Sequence, residues 1–165
     1  MASFLCRMAS FNYPIERVGW LSSYYVVFEP GCFELDDRFY KNPILLSDHY
    51  HTIANVKGLW SDIKQGSEDL RGVFTLDSSD PDYRVLEGKI KAGVLRGLSV
   101  GARVIKKREE KIPLKEREGE MSPSRRVYVQ RAILYECSLV SIPAFPDALV
   151  LGEITEDKKK EDKKE

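Results

Sequence analysis

The chain has 165 residues, and its 26 basic side chains balance 26 acidic ones, so it carries no formal charge at pH 7 with neutral histidines. A length of this order fits one domain able to bury about two thirds of the surface its unfolded form exposes. The charge balance excludes the overall basic field with which nucleic-acid binders recruit their ligand. Three cysteines, Cys6, Cys32 and Cys137, form no Cys-x-x-Cys pair and no dense framework. That usage fits buried thiols in a reducing compartment, without a structural disulfide.

In chain order, Met1–Phe11 is mildly apolar but interrupted by Arg7 and Ser10. No apolar run approaches the roughly 20 residues that span a bilayer, so the expectation is a soluble, unexported protein with no membrane partner. Residues 1–16 read as an N-terminal segment ahead of the main unit, 17–152. Arg17 to Phe28, with Trp20, Tyr24, Val26 and Phe28, reads as one or two strands broken near Ser22-Ser23. Glu29-Pro30-Gly31 turns the chain, Phe33 to Tyr40 fits a short helix, and Ile44-Leu45-Leu46 is a short apolar strand ending close to His49. Asn55 to Lys64 and Gly72 to Asp77 read as a hairpin turning at Gln65–Asp69. From Asp80, which can cap, and Pro81 in the first turn, Tyr83, Leu86, Ile90 and Val94 follow helical spacing, and Gly93 and Gly97 can end the run.

Val100 to Ile105 returns to strand character. Lys106–Arg126 is mostly Lys, Arg and Glu with Pro113, Gly119 and Pro123, which predicts a mobile surface loop. Val127–Ile133 and Glu136–Ile142 read as two more strands, and 153–165 as a charged tail, disordered or a frayed helix, whose lysines are largely cancelled by acids. Seven or more short strands and one convincing helix give an α+β chain: a small, mainly antiparallel β-barrel or strongly curved sheet carrying helices.

Within this layout Gly97-Leu98-Ser99-Val100-Gly101 has the form G-x-S-x-G, which presents a nucleophilic serine in several hydrolases. The α/β-hydrolase order of serine, acid and then histidine is impossible here, because His49 and His51, the two histidines, precede Ser99. Any serine and histidine chemistry must run histidine first, as triads on other folds do. Taken alone, the motif reads first as a flexible turn. Asp48, His49 and His51 are three potential metal ligands packed too closely to surround one ion, and no distant ligand set completes a shell; neither metal nor cofactor is expected. Cys137 lies in an apolar stretch and reads as a core thiol.

Four segments then combine. Glu29-Pro30-Gly31-Cys32-Phe33, Ile44-Leu45-Leu46-Ser47-Asp48-His49, Gly93-Val94-Leu95-Arg96-Gly97-Leu98-Ser99-Val100-Gly101 and Leu134-Tyr135-Glu136-Cys137-Ser138-Leu139-Val140-Ser141-Ile142-Pro143-Ala144 occur in one order over about Arg17 to Val150. Together they resemble the prohead maturation proteases of tailed bacteriophages. The resemblance implies a serine endopeptidase related in fold to the herpesvirus assemblins, a β-barrel flanked by helices. Such an enzyme cleaves scaffold and capsid-protein extensions inside a procapsid in the bacterial host cytoplasm, processes its own chain, and self-associates.

By position, the resemblance makes His49 the general base, Ser99 the nucleophile and Glu136 the third member, where herpesvirus enzymes use a second histidine. His51 is a rival base, since alternation along a strand would put it on the same face as His49. Arg103, Arg125 and Arg126 are candidates for an arginine that supports the oxyanion hole in assemblins. Two other readings stay open: a non-catalytic assembly module of the same fold, and an esterase that uses Ser99 on small molecules.

Overall fold

The computed structural model describes residues 1–155. The chain opens with strand β1 (Ser3–Ser10), which lies between two other strands and is part of the sheet, not a segment ahead of it. Phe4, Cys6 and Met8 alternate into the core, the period-two pattern of a half-buried strand. Arg7, which obscured that pattern, points the other way and donates to Asp69 Oδ2 at 2.9 Å. The hairpin β2 (Ile15–Val18) and β3 (Ser23–Phe28) follows, broken where expected by a turn in which Gly19 N–H bonds Ser22 C=O at 2.9 Å.

The helix anticipated over Phe33–Tyr40 begins later. Phe33 and Glu34 form β4, and α1 (Asp37–Lys41) starts after Asp36, whose carboxylate accepts from the N–H groups of Arg38 and Phe39. Strand β5 (Ile44–Ser47) leads into the histidine segment. The hairpin β6 (Val56–Gln65) and β7 (Asp69–Leu76) matches its expectation. Helix α2 (Tyr83–Lys91) is shorter than its apolar spacing suggested, because Gly93 at φ +73° takes the chain out of the helix. Its start is tied to the sheet by Lys57, whose buried ammonium meets Asp80 at 3.3 Å and Asp82 at 3.0 Å. Burial opposes that charge, but the two carboxylates win and hold the Lys57 pKa above its ordinary value.

The largest departure is in the charged stretch. Strand β8 runs Gly97–Lys111 and β9 runs Arg125–Val140 as one continuous strand. Residues 106–111 and 125–126 of the expected loop therefore belong to a two-stranded ribbon, and residues 112–124 alone connect it. Lys111 pairs with Arg125 and Glu110 with Arg126. Arg108 covers the Tyr128 ring at 4.1 Å, and Arg125 covers Tyr24 at 4.6 Å. The outer part of β8 is exposed along its length, so it needs no apolar alternation and shows none. Strand β10 (Val150–Glu153) closes the described chain and takes Glu153 out of the expected tail; residues 156–165 of that tail lie outside the described residues.

Most strands join one sheet in the order β10-β1-β7-β6-β5-β9-β3-β2, with β4 and β8 also pairing β9. The extended pairings do not close into the expected barrel. β9 is long enough to hold β3, β4 and β5 in parallel along one side and β8 antiparallel along the other, so the sheet branches there. At the far end, β10 approaches the start of β8 through one isolated bridge, Gly97 with Leu149, flanked by the bonds Leu98 N–H to Ala148 C=O and Val150 N–H to Arg96 C=O, each 2.9 Å.

The core beneath β5, β8 and β9 is apolar. Leu45, Leu98, Leu134 and Cys137 have no exposed surface. Phe4 packs at a tilt and Trp60 edge-on against Phe74, at centroid distances of 5.3 and 5.4 Å, and the Trp60 indole N–H donates to Cys137 C=O at 3.1 Å. The middle of β9 is thus locked from below, which makes it a rigid base for whatever its upper face carries.

Candidate active site

Three neighbouring stretches meet on that face. In the β8–β9 ladder Ser99 lies opposite Ser138 and Gly101 opposite Glu136. Directly opposed residues project to one side and residues two apart share a face, so Ser99, Ser138 and Glu136 present their side chains together. On the other flank of β9, Leu46 of β5 pairs with Ser138 and Ser47 with Leu139, which delivers the residues after Ser47 to the same place.

The chain does not continue as a strand there. Asp48 and His49 both take left-handed backbone conformations, φ +54° and +60°, which cost roughly 1–2 kcal/mol per non-glycine residue. Asp is among the residues that tolerate this conformation, and β9 holds the turn in place. Asp48 N–H donates to Leu139 C=O at 2.9 Å and His49 N–H to Ser138 Oγ at 3.1 Å. Asn55 fastens the other side through Nδ2 to Ser47 Oγ at 2.8 Å. The result swings the His49 ring over β9.

There Nδ1 of His49 hydrogen-bonds Oε1 of Glu136. A carboxylate oxygen accepts, so Nδ1 is the donor, and in the neutral ring Nε2 keeps its lone pair. The second carboxylate oxygen accepts from Ser138 Oγ at 2.7 Å. Glu136 is 4% exposed, whereas the His49 side chain is 39% exposed: the acid is buried and the ring reaches the surface. Among the described residues, neither Nε2 of His49 nor Oγ of Ser99 makes a hydrogen bond to protein. Contacts of this kind often tighten only when substrate is bound.

Both glycines of the G-x-S-x-G motif have a packing reason here. A Cβ on Gly101 would lie 3.0 Å from Glu136 Cδ and 3.2 Å from Cγ, and nearer still to Oε1. Gly101 is the space that the carboxylate occupies. A Cβ on Gly97 would meet Val140 C=O at 2.6 Å and Pro143 at 3.0 Å. The motif is not a strand-to-helix elbow; Ser99 sits inside β8, and the glycines admit a neighbour on β9.

The structure thus brings His49 and Glu136 into contact and sets Ser99 on the adjacent strand, two ladder positions from the pair Gly101–Glu136. His51 is not brought to them: it is exposed in the turn after His49, and the assumption that both histidines share a strand face fails because the strand ends at Ser47. Arg125 and Arg126 are at the far end of the ribbon, twelve β8 residues beyond Ser99 by register, about 40 Å at strand rise, which removes them from the site. Arg103 lies on β8 and is exposed.

Cys137 is fully buried. Burial pushes its thiol well above the usual range and the neighbouring Glu136 charge pushes it further, so it supplies no thiolate. Ser138 was missed: a serine in an apolar strand carries no spacing signal, and its contacts appear only when β5 and β8 flank β9. No group of three His, Cys, Asp or Glu side chains converges among the described residues, and no helix there is long and apolar enough to cross a membrane.

No curated protein and no solved structure matches the chain. The family model described as caudovirus prohead serine protease matches residues 9–164, a span that takes in the histidine turn, the serine strand and the acid strand. The chain belongs to the caudovirus prohead serine protease family.

Proposed function

We propose that this chain is a serine endopeptidase that matures the prohead, with Ser99 as nucleophile, His49 as general base and Glu136 as the carboxylate that orients it. The observation that carries this reading is the Nδ1 hydrogen bond of His49 to buried Glu136 on the face that also bears Ser99. With Nδ1 protonated, Nε2 is the basic nitrogen. It takes the hydroxyl proton as Ser99 Oγ attacks the scissile carbonyl, and returns it to the leaving amine as the C–N bond breaks. Water then repeats the sequence on the acyl-enzyme. Glu136 stabilises the imidazolium formed in each half.

The oxyanion needs N–H donors, each worth on the order of 3 kcal/mol in the transition state. Leu98 N–H points away from β9, to Ala148 C=O. By strand alternation Val100 N–H points the same way, toward the edge where a substrate carbonyl can lie beside Ser99, so Val100 is the donor this reading assigns. What supports a barrel relationship to assemblins is the isolated Gly97–Leu149 bridge, which brings the residue before β10 to the start of β8.

Family membership supports capsid protein as substrate and the procapsid in the host cytoplasm as the place of action. Scaffold segments and the chain itself are the further substrates, and self-association inside the shell would delay cleavage until assembly. Co-expression of the chain, and separately of Ser99→Ala, with the neighbouring capsid and scaffold proteins tests this by intact mass. Fragments present with Ser99 and absent with alanine support the protease and give its cleavage sites. Intact proteins in both samples, within assembled shells, support the non-catalytic assembly module.

A further inference from the structure

We propose that Ser138 is a positioning residue of the active site, a hydroxyl that locks base and acid into one unit. The inference rests on the catalytic reading of His49, Glu136 and Ser99 and adds a member to it. Ser138 has no exposed surface, and a serine there needs a reason, since its neighbours Cys137 and Leu139 are core residues. Both capacities of its hydroxyl are used: Oγ donates to Glu136 Oε2 at 2.7 Å and accepts from His49 N–H at 3.1 Å.

Three constraints therefore pass through one residue, two of them through its Oγ. The carboxylate is fixed at Oε2, which leaves Oε1 to face the ring. The left-handed backbone of His49, φ +60°, is held by a bond from its own N–H. Because Ser138 is also the ladder partner of Ser99, the frame that carries base and acid is registered to the strand that carries the nucleophile. Removing the hydroxyl leaves the three catalytic side chains in the chain but frees the turn and one carboxylate oxygen. A reacting geometry loosened by about 1 Å can lose up to 100-fold in rate.

The test compares wild type, Ser138→Ala and Ser138→Thr, with Ser99→Ala as blank. A fluorophosphonate probe reports the reactivity of Ser99, and p-nitrophenyl acetate hydrolysis separates kcat from KM. The expected result is a 10- to 100-fold loss of kcat and of labelling rate in Ser138→Ala, with KM unchanged and the thermal transition still cooperative. Ser138→Thr, which keeps the hydroxyl, should recover most of the loss. Wild-type values for a folded Ser138→Ala overturn the proposal and leave the protease reading intact. A wild-type chain that neither labels nor hydrolyses, and cuts nothing in the co-expression experiment, removes the protease reading and this role with it. Should the variants not fold, amide exchange in the wild type decides: His49 N–H exchanging at least about tenfold more slowly than His51 N–H supports the bond to Ser138, and equal rates overturn it.

Discussion

Replacing Gly101 with alanine tests how closely β8 packs on the Glu136 carboxylate. The added Cβ would stand 3.0 Å from Glu136 Cδ and 3.2 Å from Cγ, whereas carbon atoms rest at about 3.5–4.0 Å, so one strand or the carboxylate must move by roughly 0.5–1 Å. If the ladder gives, overpacking costs about 1–3 kcal/mol. If Glu136 swings away, it abandons the hydrogen bonds to His49 and Ser138, and hydrogen bonds to a charged group contribute about 1.5–3 kcal/mol each. Losing both bonds would cost about 3–6 kcal/mol, so the ladder gives first and the expected loss is about 1–3 kcal/mol, which at this size lowers Tm by about 2–4 °C per kcal/mol. Activity should fall more steeply, by 100-fold or more, because either route displaces the His49 ring from its orienting acid. Denaturant unfolding and cleavage of co-expressed capsid protein read the two effects. A Gly101→Ala chain with wild-type stability and full cleavage would refute both the packing argument and the position given to Glu136.

Other outcomes follow from the same geometry. His49→Ala should abolish cleavage while His51→Ala retains it, read by the masses of capsid fragments. Asp69 accepts from Arg7 at 2.9 Å and Arg71 at 3.0 Å; burial would raise its pKa, but the two guanidinium groups hold it below the ordinary 3.8. Its folded value is the lower one, so its contribution is fully present above that ordinary value and is lost as pH falls through the folded one. Asp69→Asn should flatten the acid limb of unfolding free energy against pH. Gly88, inside α2, has nothing within 4 Å of a new Cβ, and Gly88→Ala should stabilise by about 0.5–1 kcal/mol, seen as a raised Tm with activity unchanged.

Much of the site was legible because its residues sit in short local patterns. Leu45-Leu46 announced a buried strand ending near His49, and the G-x-S-x-G spacing singled out Ser99, although it read as a nucleophile motif or a turn and not as a close approach of two strands. Which histidine serves was less legible, since the choice depends on a left-handed turn that no alternation rule anticipates. The outer part of β8 was missed for a different reason: it is exposed along its length, so it is held by its pairing with β9 and by Arg108 over the Tyr128 ring, neither of which leaves an apolar period. β1 was missed because Arg7 breaks the apolar run and its partner Asp69 is 62 residues away.

By itself, then, the sequence determined the local elements whose signals lie within a few residues: the β6–β7 hairpin, the core of α2, the apolar strand before His49 and the serine flanked by glycines. Tertiary structure decided the rest, because the deciding contacts join residues far apart in the chain. Glu136 reaches His49 across 87 residues, and Gly101 is needed only because Glu136 lies opposite it. Ser138 acquires partners only when β5 and β8 take their places on either side of β9. A one-dimensional pattern records burial and turn chemistry, while the choice of neighbours belongs to the register of the sheet.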